Sequence, residues 1–206
     1  MLHIHYTKTS ALDTFEGFHD VAIVMPAIDI ELAWKAAKVM QLRSDQEGML
    51  IIALDDLQQG FIATTNALYE RTRSTYFCYV AQDAFPGHYW LDYGVQTLQK
   101  SHAGLLAFND GRFFGRIAVF GLANRKWIDT VYSGKFFYPG YHSHFADTEI
   151  SVIAQAGGNL VFNPNALLIE VDYEKHLHGN LPADETLYRQ RAAQGFDEKT
   201  TPFIPT

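Results

Sequence analysis

The sequence predicts an α/β fold in which a mostly parallel sheet lies between two layers of helices. Short apolar runs of strand length alternate with segments of helical composition, and acids, proline or glycine follow the runs. Apolar residues make up 48% of the chain and charged residues 19%, as in ordinary globular proteins. Strands that alternate with helices form βαβ units, which build a three-layer α/β/α arrangement.

The length of 206 residues is enough for one sizeable core. We find no internal repeat and no linker composition. We therefore expect a single domain over residues 1–206, with a core from about 21 to 188 and extensions at 1–20 and 189–206.

The first half of the chain predicts the order β-α-β-α-β. Each expected strand is an apolar run that ends at a proline or an acid, and each expected helix has apolar residues able to share one face. The expected elements are strand Val21–Pro26, helix Glu31–Leu42, strand Met49–Leu54, helix Phe61–Thr72 and strand Tyr76–Asp83.

The second half predicts a hairpin, an aromatic loop and a terminal helix. Asn109-Asp110-Gly111 is typical of a tight turn, after which the chain could return as an antiparallel partner. The stretch from Tyr132 to His144 is rich in Gly, Tyr, Phe and His, which indicates an irregular loop. The expected elements are helix Tyr89–Lys100, strands Ala103–Phe108 and Ile117–Phe120, helix Asp147–Ala156, strands Asn159–Phe162 and Ala166–Val171, and helix Asp184–Gln194.

Charge and cysteine content exclude several classes of protein. With 23 acids against 16 bases the formal net charge is −7, which argues against a general nucleic-acid binder. The single cysteine, Cys78, excludes an internal disulfide framework and favours the cytoplasm. No apolar segment reaches the roughly twenty residues that a membrane span needs. We expect a soluble protein, with contact at the inner face of a membrane left open.

The carboxylates that follow the predicted strands are the first candidates for a functional site. Ligands of open α/β sheets bind at the carboxyl ends of strands, where Asp83 and the pair Asp55-Asp56 are expected. Each also has an ordinary structural role available: Asp83 suits a turn before Pro86-Gly87, and Asp56 suits the N-cap of the next helix.

The order of these segments resembles the family 2 glycosyltransferases of the GT-A fold, in a short bacterial-type or phage-type form. The resemblance rests on a first strand ending at Pro26, a second ending in an acid and a third ending at Asp83. Its most specific part is the block Phe145-Ala-Asp147-Thr-Glu149, followed by Gly157-Gly158 and a short strand near Pro164.

The resemblance implies a role for each candidate residue. It implies a catalytic base at the acid-x-acid helix start, with Asp147 ahead of Glu149. It implies acceptor contacts near Trp127 and in the aromatic loop, although those rings could equally pack the loop down. The implied sites are catalytic Asp147 and Glu149; donor-binding Pro26, Asp55, Asp56, Asn66, Gln82 and Asp83; acceptor-binding Trp127, Tyr138 and Tyr141.

The metal site departs from the family pattern, because Gln82-Asp83-Ala84 offers one acid where the family usually has two or three. One carboxylate and the diphosphate oxygens of a donor can still hold Mg²⁺ or Mn²⁺. The family's histidine after the last strand is not in its usual place, so Asp172 or His176 is the expected substitute. A zinc site at His142, His144, His176 and His178 is possible by residue type but is not what we predict.

The resemblance implies an inverting transfer of a sugar from a UDP- or GDP-linked donor to a carbohydrate or glycolipid, as in polysaccharide or glycoconjugate synthesis. A catalytically silent GT-A-like module that binds carbohydrate or a partner is one alternative. A sugar nucleotidyltransferase is another, although Pro26-Ala-Ile-Asp-Ile lacks the Gly-rich basic loop such enzymes use. The oligomeric state is not predicted.

Overall fold

The computed structural model describes residues 1–12, 18–171 and 181–205. Within them it contains eight strands and seven helices. The strands are β1 (Leu2–Lys8), β2 (His19–Ala27), β3 (Gly48–Leu54), β4 (Ser74–Tyr79), β5 (Ala84–Pro86), β6 (Leu105–Asn109), β7 (Gly121–Asn124) and β8 (Leu160–Glu170). The helices are α1 (Ile30–Leu42), α2 (Phe61–Arg71), α3 (Trp90–Ser101), α4 (Arg125–Tyr132), α5 (Ala146–Ala156), α6 (Pro182–Ala193) and α7 (Gly195–Glu198).

The strands form one mixed sheet in the order β1-β3-β2-β4-β7-β6-β8-β5. β1, β2, β3 and β4 are parallel to one another, and β6 is parallel to β8. β7 is antiparallel to both of its neighbours, and β5 is antiparallel to β8. The expectation of a mostly parallel sheet therefore holds only in part, because two strands run against the others.

The antiparallel step at β7 has a simple cause in chain length. The connection 110–120 returns directly to the sheet, whereas a parallel crossover takes about a dozen residues or more, usually with a helix. The predicted return strand Ile117–Phe120 is displaced: the pairing partner is β7, with Leu105 opposite Ala123. A hairpin relationship was expected, but its loop is longer than the predicted tight turn.

Helices cover both faces of the sheet. The side chains of β2 alternate between two cores, with Val21, Ile23 and Met25 on one face and Ala22 and Val24 on the other. α1 and α3 pack on the first face, and α2, α4, α5 and α6 pack on the second. Burial on both faces explains why β2 is a continuous apolar run instead of an alternating one.

Two predicted strand boundaries are wrong. β4 ends at Tyr79, and a turn follows it. The next residues, Ala84–Pro86, form the separate strand β5, which pairs with the end of β8. The two predicted strands around Pro164 are one strand, β8, whose first part pairs with β6. A register shift between Ala107 and Asn109 accommodates the change of partner, and the Asn109 side chain donates a hydrogen bond to the Pro164 carbonyl.

Several elements were not predicted, among them β1 and α4. β1 lies in the expected N-terminal extension and pairs along its length with β3. It is an edge strand with His3 and Tyr6 exposed, so it lacks the apolar run that marks a buried strand. α4 begins at an Asn124 cap whose side chain accepts from the Lys126 N–H. Among the described residues, no helix combines the length and apolar character needed to cross a bilayer.

Candidate active site

The carboxyl ends of six strands, β1, β2, β3, β4, β6 and β8, lie at one edge of the sheet. We call this the carboxyl edge; it carries the segments 28–29, 55–60, 80–83 and 110–120 that follow β2, β3, β4 and β6. α5 leads directly into β8, so it runs back along the sheet and its first turn points toward the same edge.

Asp147 lies in the first turn of α5, close to the end of β4. Burial raises the pKa of the Tyr79 hydroxyl well above its usual value, and the nearby negative charge of Asp147 raises it further. Tyr79 is the last residue of β4 and donates to the Ala118 carbonyl. Ser151 on α5 accepts from the Ala118 N–H at 2.9 Å and donates to the Asp147 carbonyl at 2.6 Å. These contacts fix α5 against the carboxyl edge.

Asp83 lies in the turn after β4, and its carbonyl accepts from the Val171 N–H at 3.0 Å. Asp83 and Asp147 are both half-buried. The structure therefore brings two partly accessible carboxylates, far apart in the sequence, to the same edge of the sheet.

Asp147 does not cap α5. The residue at the cap position is Phe145, with a left-handed φ of 67° and no capping side chain. Asp147 instead accepts from its neighbour Thr148 at 2.8 Å through Oδ1. A non-glycine residue in this region costs on the order of 1–3 kcal/mol, and such strain tends to occur at functional sites.

The two acids after β3 have internal partners. Asp55 accepts from the N–H groups of Gln59 and Gly60 at 3.0 and 2.7 Å, so this carboxylate orders the turn into α2. Asp56 accepts from the N–H and hydroxyl of Ser10, and these bonds lower the pKa of its carboxyl. The predicted N-cap role of Asp56 is wrong: the N-cap of α2 is Gly60, without a capping side chain, and Asp56 turns back toward the chain after β1.

Gln82 and Pro26 lie where the donor side was predicted. The Gln82 side-chain oxygen accepts from the N–H groups of Ile28 and Asp29, each at 2.9 Å. It thereby ties the turn after β4 to the loop after β2. Pro26 is buried within β2 beside Ala53 of β3, so it shapes this edge through the backbone.

The Asn66 side chain is buried and hydrogen-bonds to the backbone of the aromatic loop. Its side-chain oxygen accepts from the N–H groups of Phe136 and Phe137 at 3.0 and 2.8 Å, and its amide donates to the Phe137 carbonyl. Asn66 is 4% exposed. Its structural role is to hold the aromatic loop against α2, and the prediction that it lines a base pocket does not fit this burial.

Glu149 lies at the centre of a buried network. Arg191 on α6 donates to both of its oxygens at 2.8 Å, and the hydroxyls of Tyr132 and Tyr141 donate at 2.9 and 2.7 Å. Glu149 has no exposed surface. A carboxylate held by four donors is poorly suited to take a substrate proton, so the geometry does not favour Glu149 as a base.

The predicted acceptor residues pack into the protein. Tyr141 is 3% exposed, and the ring of Tyr138 lies 3.3 Å from the Arg191 guanidinium carbon. Trp127 packs so closely on Gly104 that a side chain at Gly104 would overlap its ring. The alternative that the aromatic residues pack the loop down is the one that matches these contacts.

Asp184 shapes the loop between the aromatic residues and α5. It accepts from the N–H groups of His142, Ser143 and His144 at 2.8 to 3.0 Å. Burial by itself would raise the pKa of Asp184, but these three donors outweigh it and lower the pKa. The loop is therefore held in place immediately before the first turn of α5.

The predicted metal ligands are only partly within the described residues. Asp172 and His176 lie outside them, as does His178 of the zinc alternative. In the parts of the chain that the structure describes, no group of three or more His, Cys, Asp or Glu side chains is arranged to hold a metal ion. Asp83 alone does not form a metal site, although it can add one oxygen ligand to those of a bound diphosphate.

Sequence reasoning missed Arg191 and Asp184 as supports of this site. Both lie on α6, which was predicted only as a terminal helix. A start signal existed for Asp184, since Pro182 and an acid in the first turn are typical of a helix N-terminus. No local pattern identifies Arg191 as the partner of Glu149.

Comparison with solved structures shows a GT-A-type fold. A mannosyltransferase from Pyrobaculum calidifontis in complex with GDP-Man and Mn²⁺ matches with TM-score 0.58 and 11% identity, over 82% of this chain and 68% of its own. A mutant Drosophila β-1,4-galactosyltransferase 7 with manganese, UDP-Gal and xylobiose matches with TM-score 0.57 and 16% identity, over 82% and 79%. TarS from S. aureus with UDP-GlcNAc matches with TM-score 0.61 and 9% identity, over 87% and 69%. No protein-family model and no curated protein sequence matches the chain.

Proposed function

We propose that this chain is an inverting glycosyltransferase that moves a sugar from a nucleoside-diphosphate sugar to a hydroxyl acceptor. The observation that carries the proposal is the location of Asp83 and Asp147, both half-buried, at the carboxyl edge of a GT-A-type sheet. Family 2 membership and a role in polysaccharide or glycoconjugate synthesis are part of the proposal and rest on the sequence resemblance.

Asp147 is the proposed base. As the acceptor oxygen bonds to the anomeric carbon of the donor sugar, its proton passes to an Asp147 carboxylate oxygen. The bond from that carbon to the diphosphate breaks, and the leaving diphosphate takes the electron pair. A single displacement from the opposite side inverts the anomeric configuration.

The donor side is proposed to be the segments after β2, β3 and β4. Gln82 joins two of these segments through the N–H groups of Ile28 and Asp29, which gives the edge a defined shape before any ligand arrives. Asp55 and Asp56 are proposed to face the nucleoside, and both carboxylates also accept internal hydrogen bonds that order this side of the sheet.

Metal dependence is a separate part of the proposal. Asp83, together with donor diphosphate oxygens, would hold Mg²⁺ or Mn²⁺, with Asp172 or His176 as the proposed further ligands. When bound, such a cation offsets the negative charge that develops on the leaving diphosphate.

The test is calorimetry with UDP- and GDP-linked sugars, with and without Mn²⁺, followed by an assay of donor hydrolysis and of transfer. Binding of one donor and release of its nucleotide are expected. Absence of binding to every donor, in a protein shown to be folded, would contradict the proposal and favour a silent GT-A-like module. Formation of the sugar nucleotide from a sugar phosphate and a nucleoside triphosphate would favour the nucleotidyltransferase alternative.

A further inference from the structure

An open cleft of about 510 Å³ lies beside the first turn of α5. It is bounded by α5, α6 and the segment that follows α7. Its lining residues are Phe145, Thr148, Glu185, Tyr188, Arg189, Phe203, Ile204 and Pro205. We call it the α5–α6 cleft.

The cleft is lined by residues close in sequence to the proposed base, Asp147, which is not itself among the lining residues. Phe145 and Thr148 lie on either side of Asp147 in the sequence and both line the cleft. Burial raises the pKa of Tyr188, and the charges of Glu149 and then Asp147 raise it further, so Asp147 lies near this ring. A molecule bound here would have a group within reach of the first turn of α5.

The lining combines aromatic and polar groups. The rings of Phe145 and Tyr188 are stacked, with centroids 5.1 Å apart and planes 25° from parallel. At the rim, Arg189 contacts Glu185 at 3.0 Å and donates to the Pro205 carbonyl at 3.0 Å. Ile204 is 84% exposed, so an apolar residue stands uncovered beside the charged pair.

This chemistry fits a carbohydrate. A sugar ring has apolar C–H faces, which pack on aromatic and aliphatic side chains, and hydroxyls, which both donate and accept. The Arg189–Glu185 pair offers donors and an acceptor side by side. The volume lies within the range of small-molecule sites, about 300–1,000 Å³.

Two other cavities lack these relationships. One of about 250 Å³ lies at the opposite edge of the sheet, by His3, His19 and Glu47. Another of about 420 Å³ lies on the outer surface of α3, by Lys100 and Asn163. Neither is lined by a residue next to Asp147 in the sequence.

We propose that the α5–α6 cleft binds the carbohydrate acceptor and presents its hydroxyl to Asp147. The inference rests on the proposed sugar transfer and deepens it, because it assigns the acceptor to residues other than Trp127, Tyr138 and Tyr141. Phe145, Thr148 and Tyr188 form the floor, and Glu185 and Arg189 form the polar rim.

The experiment blocks the cleft chemically. Cys78, the single cysteine, is fully buried, so Arg189→Cys introduces one accessible thiol for a bulky maleimide. Lys100→Cys, labelled in the same way, is the matched control at the α3 cavity. Donor hydrolysis without acceptor is measured beside transfer to a panel of octyl glycosides of glucose, galactose, mannose and N-acetylglucosamine.

The ratio of transfer to donor hydrolysis is expected to be about tenfold or more lower in labelled Arg189→Cys than in labelled Lys100→Cys, the effect of losing roughly 1.4 kcal/mol of acceptor binding. Undiminished transfer by the labelled variant would overturn the assignment. Donor hydrolysis by the unmodified protein without transfer to any glycoside of the panel would also count against a carbohydrate acceptor here. If the unmodified protein neither binds nor hydrolyses donor, the proposed function itself fails, which is a different result.

Discussion

Arg191 and Glu149 form a bidentate ion pair inside the protein, with both N–O distances at 2.8 Å. The Arg191 side chain is 6% exposed and that of Glu149 is fully buried. The pair joins α6 to the first turn of α5, which also carries Asp147. The position of the proposed base therefore depends on a helix near the other end of the sequence.

Removing one partner of this pair should strongly destabilise the protein. Arg191→Met leaves the Glu149 charge buried without its main partner, and such changes cost about 3–5 kcal/mol. Denaturant unfolding measures the loss. Arg189→Met on the same helix breaks an exposed pair, whose loss costs about 1 kcal/mol or less. Equal effects of the two variants would contradict a structural role for the buried pair.

Asp147→Asn should abolish most of the transfer without unfolding the protein. Loss of a positioned base lowers the rate by about 10²–10⁴-fold, and asparagine has nearly the size and shape of aspartate, so the surrounding packing is kept. The measurements are kcat for transfer, donor affinity by calorimetry and the melting temperature. The first should fall while the other two stay near the unmodified values.

Glu149→Gln is the companion variant, and it should lower the stability of the protein more than its rate of transfer. The neutral amide weakens the contacts with Arg191, so the melting temperature is expected to fall while the folded protein keeps most of its kcat. A folded Glu149→Gln protein with a rate as low as that of Asp147→Asn would instead identify Glu149 as the base.

Chelation with EDTA is expected to lower transfer, and added Mn²⁺ or Mg²⁺ should restore it. Asp83→Asn should reduce the rate about a hundredfold at limiting Mn²⁺, since a cation at a leaving diphosphate is worth several kcal/mol. Asp45→Asn, at an exposed acid in the connection between α1 and β3, serves as control. Full activity in EDTA would contradict metal dependence and favour the alternative that Asp83 only stabilises the turn before Pro86-Gly87.

The stability of the protein should fall in acid through Asp184. Its three N–H donors lower the pKa of the folded carboxyl below the ordinary value of 3.8. Such a group stabilises the fold above the unfolded pKa, and the contribution is lost as pH falls through the folded value. The free energy of unfolding, measured as pH falls from about 5 to about 2, should decline less steeply for Asp184→Asn than for the unmodified protein. The same slope in both would contradict this role.

Asn66→Ala should destabilise the aromatic loop. The change leaves the buried N–H groups of Phe136 and Phe137 without an acceptor, at a cost of about 2–4 kcal/mol in unfolding free energy. The exposed Asn165 provides a matched Asn→Ala control. Weaker donor binding by a fully stable Asn66→Ala protein would favour the pocket-lining prediction instead.

The elements that local pattern predicted well are those with a local cause. β2 and β3 are continuous apolar runs because both of their faces are buried, and α5 ends at Gly157 where the sequence suggests. β1 escaped prediction because its exposed edge lacks the apolar run that marks a buried strand, and β7 begins directly after the predicted return strand Ile117–Phe120. Their pairing is decided by distant neighbours.

By itself, the sequence determined the layered α/β architecture, the GT-A resemblance and the acids that follow the strands, since burial periodicity and turn chemistry are encoded within a few residues. Only the tertiary structure decided how those acids are used. Glu149 and Tyr141 became buried partners of Arg191, and Asn66 became a support for the aromatic loop. These roles depend on which side chains meet across long stretches of chain, and that is set by the packing of helices on the sheet.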